Sequence, residues 1–471
     1  MTLHQEEIPE EFKEEKLKYY VEKFSFPRRI GTEGEKKARK LTYLEFKKLG
    51  LNPYRENFVC SLFYSISFLR IVLLSIIFFV FSLQIVLFFD PRLNLFVIVI
   101  FTFWAIYLMR MAQKPQKINW GKNYYSENIY VFIPALIFKI KINSFIQKSN
   151  LNENDKKGIL NNDEFEYDDK KLDSEDLFKE YNDREDIIGN IVISAHTDSK
   201  SQSIPTIIRV KLFKYSFMII GILFILVLFS IFIALIGPKT WNWVKNLFEI
   251  VTILLTTIII VFTIILFFNR SLNKSMGSLD NATGMAAVFA LTDYFRDKPL
   301  KRFNLYLCQF GVEEFGQQGS RLFVLNRLRN FKRGRTFNIN LDMVGCVDDD
   351  KVPFMESIGF LKKPVDPLMT KYIKDCSKKL NIEVEGFNLP TGAHTDRMAF
   401  SKYGLNGIDF VSYRAGYYTH STEDNLEKVN YKIIQQTLRI IICMLQQMDN
   451  DLEQNNFPKI KNPKHLRHAF Y

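Results

Sequence analysis

Four long apolar runs constrain this chain more than anything else in it. Ile71 to Phe89 is 19 residues without a charge, and Leu93 to Met109 is another 17, with Asp90-Pro91-Arg92 as a tight turn between them. Tyr215 to Ile236 and Leu247 to Phe268 are 22 residues each, joined by Gly237-Pro238 and a loop carrying Trp241 and Trp243. A helix needs about 20 apolar residues to cross a hydrocarbon core of ~30 Å. Four such runs with aromatic and basic flanks are hard to bury in one soluble core, so they read as two transmembrane hairpins. Glu249, the one acid within them, lies near a helix end where it can reach the interface. Each hairpin returns the chain to the face it left, so all remaining sequence falls on one side. That side is flanked by Arg110, Lys114, Lys117, Lys122, Lys200, Arg209, Lys211, Lys214, Arg270 and Lys274, the other only by Arg92, Lys239 and Lys245. The positive-inside rule then assigns the soluble part to the cytoplasm.

Charge supports a membrane protein. The net charge is +12, yet residues 151–186 carry 14 acidic against 6 basic residues, so the remainder stands near +20. Such a surface suits an anionic lipid face or nucleic acid. The apolar runs favour lipid, and no nucleic-acid motif is present. The stretch 148–187 reads as a flexible, acidic surface loop. The tail 451–471 is basic through Lys459, Lys461, Lys464 and Arg467. Five scattered cysteines with no CxxC pair fit reduced thiols better than a disulfide framework. Residues 1–25 are charged and helix-favouring, without the apolar core of a cleavable signal.

The chemistry-bearing residues follow apolar, strand-like runs. Phe303 to Leu307 leads to Gly311-Val312-Glu313-Glu314-Phe315-Gly316. Adjacent side chains at a strand end point in opposite directions, so one carboxylate can hold a metal while the other faces a water on it. Ile191 to Ala195 delivers His196 and Asp198, a ring nitrogen and a carboxylate able to fix its tautomer. Asp280-Asn281 precedes an Ala-rich helix, Met285 to Phe295; Asp280 is either an N-cap or a carboxylate that bridges two cations. Phe337 to Leu341 ends at Asp342, and Asp409-Phe410-Val411 leads through Arg414, Tyr417 and Tyr418 to His420. The ends of sheet strands are where an α/β fold presents its chemistry. An amphipathic helix ending at Gly50, strands at Glu56–Cys60 and Asn128–Ile133, a polar loop Gly392–Asp396 and a closing helix from Asn425 to Met448 complete the expected elements.

The ordered set His-x-Asp, Asp-Asn-x-x-Gly, Glu-Glu, Asp-Met-x-Gly and a late His resembles metallopeptidase family 28, the two-zinc aminopeptidases and glutamate carboxypeptidases. The resemblance covers residues 24–60, 126–146 and 187–448, and includes the opening Phe26-Pro27-Arg28-Arg29-Ile30-Gly31-Thr32 and Gly319-Ser320. It implies an α/β/α sandwich around a mixed, mainly parallel sheet, here interrupted by the two transmembrane α-helical hairpins. It also implies two Zn2+ per chain: His196 and Asp342 on one, Glu314 and His420 on the other, and Asp280 bridging them through a cis Asp280–Asn281 peptide. Asp198 would orient His196, and Glu313 would be the general base. Tyr417 or Tyr418 would donate to the oxyanion, and Arg414 is a candidate for binding a substrate carboxylate.

The expected organisation is a peptidase domain in pieces (1–60, 111–208 and 270–450) with hairpins at 61–110 and 209–269. His196 is 17 residues from Phe213, and Asp280 is 12 from Phe268. At ~3.3–3.6 Å per extended residue the metals should lie within ~40 Å of the bilayer surface. The expected function is a membrane-anchored zinc exopeptidase acting on N-terminal residues of peptides. A carboxypeptidase, a glutaminyl cyclase-like enzyme and an inactive scaffold of the same fold are the alternatives. Side-chain preference and oligomeric state stay open.

Overall fold

The computed structural model describes residues 8–112, 120–137, 188–359, 361–389, 394–454 and 456–457. The acidic stretch 148–187, the tail lysines and Arg467, Lys114, Lys117, Gly392 and Ala393 lie outside the described residues. The chain divides into two compact units: Met1–Phe58, Tyr125–Lys200 and Asn273–Tyr471 form one, and Val59–Tyr124 with Ser201–Leu272 form the other. Its strands, in chain order, are β1 (Tyr54–Ser61), β2 (Asn123–Ile133), β3 (Gly189–His196), β4 (Ser201–Gln202), β5 (Ser271–Leu272), β6 (Phe303–Phe310), β7 (Thr336–Asp342), β8 (Val352–Ile358), β9 (Lys363–Pro364), β10 (Val384–Leu389) and β11 (Asn406–Val411).

The first unit is built on a six-stranded sheet in the order β1-β2-β6-β3-β7-β11. β3 runs parallel to both β6 and β7, β11 runs parallel to β7, and β2 is antiparallel to β6. Alternation along the central strand sends Ile191 and Ile193 to one face and Val192 to the other. The first face is covered by the helices Glu14–Phe24, Thr283–Asp297, Pro367–Leu380 and Tyr431–Glu453. The second is covered by Gln318–Asn326 and Arg397–Ser401, through Phe323, Val324, Ala399 and Phe400. This is the α/β/α sandwich. Covering both faces is what makes its strands read as continuous apolar runs.

The Ala-rich helix is buried on every side from Thr283 to Phe295. Its small residues let the sheet approach on one flank. On the other, Phe289 meets the rings of Tyr20, Phe24 and Phe46 at 5.1, 5.6 and 4.9 Å. The closing helix starts later than its sequence pattern implies. Asn430 caps it by accepting from the Ile433 amide, while Leu426–Lys428 forms a separate 3-10 turn capped by Asn425. A second, three-stranded sheet in the order β10-β8-β9, with β8 and β10 parallel, has no counterpart among the expected strands.

Among the described residues of the second unit, four helices are long and apolar enough to cross a membrane: Tyr64–Phe89, Pro91–Ala112, Thr206–Ile236 and Val244–Phe267. Away from their mutual contacts their apolar side chains face outward, with Phe78, Phe96 and Ile225 each about two-thirds exposed, as expected of helices whose solvent is lipid. Val80, Leu83, Leu223, Val227 and Ile259 form the packed seam between them. Hydroxyls at Ser75, Thr102, Thr257 and Thr263 donate to carbonyls four residues earlier, so they leave no bare polar group in an apolar medium. The expected Trp-rich loop is instead helical. The helix Pro238–Phe267 begins at the proline itself, whose missing N–H is no loss in a first turn.

Candidate metal centre

Two groups of ligand-type atoms meet at the C-terminal ends of the parallel strands. One is His196, Asp280 and Asp342; the other is Asp280, Glu314 and His420, and within each group the offered atoms lie within 4.8 Å of one another. His196 ends β3 and Asp342 ends β7, adjacent in the sheet. Asp280 is the shared member and presents one oxygen to each side. Its Oδ1 is 3.2 Å from His196 Nε2, and its Oδ2 is 3.2 Å from His420 Nε2. His196 Nε2 is also 3.5 Å from Asp342 Oδ1, and His420 Nε2 is 3.0 Å from Glu314 Oε2. Glu314 Oε1 is buried with no hydrogen-bond partner. A carboxylate with one oxygen toward each of two His/carboxylate sets, and an unbonded buried oxygen beside them, fits a pair of borderline divalent cations such as zinc.

The polypeptide around these groups is held in unusual conformations. The Asp280–Asn281 peptide is cis. Val312, Met343 and His420 have φ of 60°, 55° and 62°, a region costly for residues with a Cβ. Val312 corrects one expectation. β6 stops at Phe310, so Glu313 and Glu314 lie past the strand, after a left-handed residue at Val312, and strand alternation does not separate them. Asp280 is likewise no N-cap: the helix that follows begins at Thr283 with Ala282 before it.

Asn281 ties this bend to its neighbours. Its Oδ1 accepts from the amides of Gly284 (3.0 Å) and Met343 (3.2 Å), and its Nδ2 donates to Leu341 O at 2.8 Å. A Cβ on Gly284 would lie 2.3 Å from both Asn281 Oδ1 and Leu341 O. That is why the Asp-Asn-x-x-Gly spacing ends in glycine. Asp424, fully buried, accepts from the Leu279 amide at 2.6 Å and from Ser275 Oγ at 3.2 Å. Arg28, also fully buried, donates to the carbonyls of Phe24, Phe26, Thr197, Met276 and Gly277. It lashes the N-terminal opening to the loops that precede Asp198 and Asp280.

Asp198 meets His196 through its backbone and the acidic pair through its side chain. His196 Nδ1 is 3.0 Å from the Asp198 carbonyl oxygen but 3.7 Å from its carboxylate. The carboxylate accepts from the amides of Glu313 (2.9 Å) and Glu314 (3.2 Å), fixing the backbone of the acidic pair. Tyr418 donates its hydroxyl to Asp348 at 2.7 Å, and Tyr417 is 55% exposed. Arg414 is paired with Glu385 at 2.7 Å and lies 3.5 Å from Asp349 and 3.8 Å from Asp350. His394 is exposed and belongs to neither ligand group. Lys200, Asp396 and Asp424 were not marked by any motif. Asp396 is fully buried next to the cluster, its loop legible only as polar.

Burial dominates the electrostatics. It pushes Glu313 well above the ordinary carboxylate range against the pull of His196, and lifts Asp342 too. Burial raises Asp198 to about 6, and Asp396 and Asp424 to about 7. Burial also opposes charge on Asp280, but hydrogen bonds from His196 and His420 overcome it and hold that carboxyl low. Burial disfavours the imidazolium of His196 and His420, yet facing carboxylates lift both above their usual value. So many acids in one buried site call for positive charge between them.

Residues 268–445 match the sequence model of peptidase family M28. The chain resembles peptidase family M28. A vacuolar membrane protease of Candida glabrata is 25% identical over 179 residues, 36% of this chain and 18% of that protein, so the likeness spans under a fifth of the relative's length. Among solved structures, an aminopeptidase from Aneurinibacillus sp. strain AM-1 is 11% identical, with 93% of this chain and 95% of that chain covered at a TM-score of 0.49. A zinc aminopeptidase from Bacillus subtilis is 12% identical (94% and 96% covered, TM-score 0.46). A glutaminyl cyclase from an Acidobacteriales bacterium is also 12% identical (93% and 93%, TM-score 0.46).

Proposed function

We propose that this chain is a membrane-anchored, zinc-dependent exopeptidase that removes N-terminal residues from peptides. The observation that carries the reading is the Asp280 carboxylate, with one oxygen toward His196 and the other toward His420. His196 and Asp342 would hold one zinc, Glu314 and His420 the other, with Asp280 shared. When bound, a zinc pair lowers the pKa of a shared water and polarises a carbonyl. Glu313 is the general base. Burial holds its carboxyl above the ordinary range, and a carboxylate in that place would take a proton from the attacking water and return it to the leaving amine. Asp198 keeps Glu313 and Glu314 in register by binding both amides.

The amino-terminal direction is favoured over a carboxypeptidase because Arg414, the candidate for a substrate carboxylate, already faces three acidic side chains. The basic flanks Arg110, Arg209, Lys211, Lys214, Arg270 and Lys274 favour a cytoplasmic catalytic unit, which protease protection of sealed vesicles would check.

The deciding experiment is metal content together with peptidase activity on purified full-length protein and on Glu313→Gln. About two zinc per chain in both, with free-amine peptides cleaved by the wild type and turnover in Glu313→Gln lower by about 10²–10⁴-fold, supports the reading. Cleavage of N-blocked peptides alone would shift it to a carboxypeptidase. Absence of both metal and cleavage would leave a scaffold.

A further inference from the structure

A cavity of about 420 Å³ lies in the first unit, with Asp348, Glu385, Phe387, Tyr413, Arg414 and Tyr417 among its lining residues. Its size falls in the range of small-ligand and side-chain pockets. Two of its walls lie on segments that also carry a residue of the centre: Asp348 is six residues after Asp342, and Tyr417 three before His420. Three residues span at most ~10 Å, so the Tyr417 wall is within about three peptide units of His420. Tyr418, two residues before His420, packs against the cluster of Leu279, Cys346 and Ala415, and its hydroxyl donates to Asp348.

The lining has a definite chemistry. Among the described residues Arg414 is the one cation in its lining, and Glu385, Asp349 and Asp350 lie within 4 Å of that guanidinium. Asp348 and Glu385 therefore leave the cavity with an excess of negative charge. Three aromatic rings complete it. Phe387 and Tyr413 meet at 5.8 Å and 49°, and Tyr413 and Tyr417 are each more than half exposed, 54% and 55%. Carboxylates together with open aromatic faces attract an ammonium or guanidinium and give little to an anion.

We propose that this cavity is a specificity subsite that takes the cationic side chain of a lysine or arginine lying within about three residues of the bond cleaved. The assignment rests on the peptidase reading above and adds to it a substrate class: basic peptides. Asp348 and Glu385 supply the charge, Tyr413 and Tyr417 the ring faces, and Arg414 fixes the Glu385 carboxylate at 2.7 Å.

The test compares peptides that differ only by lysine against norleucine, at each of the first three positions. It uses the full-length zinc-loaded protein in detergent. Cleavage gives kcat/KM; fluorescence anisotropy of labelled peptides on the Glu313→Gln protein gives Kd. The expected result is a preference for lysine of about tenfold at one position. That ratio should fall at least severalfold in Glu385→Gln, in Asp348→Asn and in Tyr417→Ala, and shrink as salt is raised. Equal binding of the lysine and norleucine peptides at all three positions would overturn the inference. So would a lysine preference that survives Glu385→Gln combined with Asp348→Asn. If no peptide is cleaved, the peptidase reading fails by itself. A lysine preference in binding that disappears in Glu385→Gln would still uphold the subsite, and equal binding would still overturn it.

Discussion

The Lys200 ammonium lies 2.7 Å from Oε2 of Glu314 and donates to the carbonyl oxygen of the same residue at 2.8 Å. It is only 13% exposed, so water screens this charge weakly. Lys200 thus neutralises part of one cation position, Asp280–Glu314–His420, and leaves the Asp280–Asp342–His196 position untouched. The two positions should bind zinc unequally. Lys200→Met is expected to tighten the weaker of two binding steps by about tenfold, the scale of one charge-assisted hydrogen bond, and to leave the tighter step in place. A zinc titration against a chelating dye reads both steps. A uniform change in both would contradict the assignment.

Asp198 supports the acidic pair through the chain rather than through His196. Asp198→Asn keeps the shape but replaces one acceptor oxygen by a donor, which cannot serve a second amide. Turnover should fall by about 10²-fold or more, since small misplacements of a catalytic group are costly. The His196 ring, held by the Asp198 carbonyl, should keep its metal. Metal analysis beside steady-state kinetics separates the two effects.

Gly284→Ala tests the packing of the Asp280 bend. In an exposed helix, alanine for glycine stabilises by about 1 kcal/mol. Here the new Cβ would meet Asn281 Oδ1 and Leu341 O at 2.3 Å. The sign should reverse, with a loss of about 1–3 kcal/mol and weaker zinc binding, read by thermal melts with and without added metal.

Asp424 gives a pH dependence with a definite sign. Burial first, and then the Asp280 charge, raise its folded pKa to about 7, against about 4 in an unfolded chain. Its contribution is complete below pH ~4 and is lost as pH rises through ~7. The metal-free protein should therefore melt at a lower temperature at pH 8 than at pH 5. Asp424→Asn, which cannot ionise, should flatten that slope. A slope unchanged by the substitution would assign it to other groups.

Much of this protein is local in origin and so was legible in sequence. Four runs of about 20 apolar residues mark helices for lipid whatever surrounds them, and the structure makes helices of all four. β3, β6 and β7 announce themselves as apolar segments ending near His196, Glu313 and Asp342, because a sheet covered on both faces leaves no polar alternation. Where boundaries shifted, local chemistry moved them: Asn430 capped the last helix late, and Pro238 started one early.

What the tertiary structure decided is which distant residues share a site and what each does there. Nothing local joins Arg28 to Gly277, Asp424 to Leu279, or Lys200 to Glu314. These pairs are 249, 145 and 114 residues apart and meet because parallel strands bring their C-terminal ends to one edge. Partners came with the fold as well. Asp198 meets its neighbour's ring through its carbonyl while its carboxylate accepts from the Glu313 and Glu314 amides, and Arg414, the candidate for a substrate carboxylate, is paired with Glu385. A motif states which side chains are available, whereas burial and partners set their charge and direction. Those terms depend on every element packed around the site, so they arise only once the sheet and its helices have closed on it.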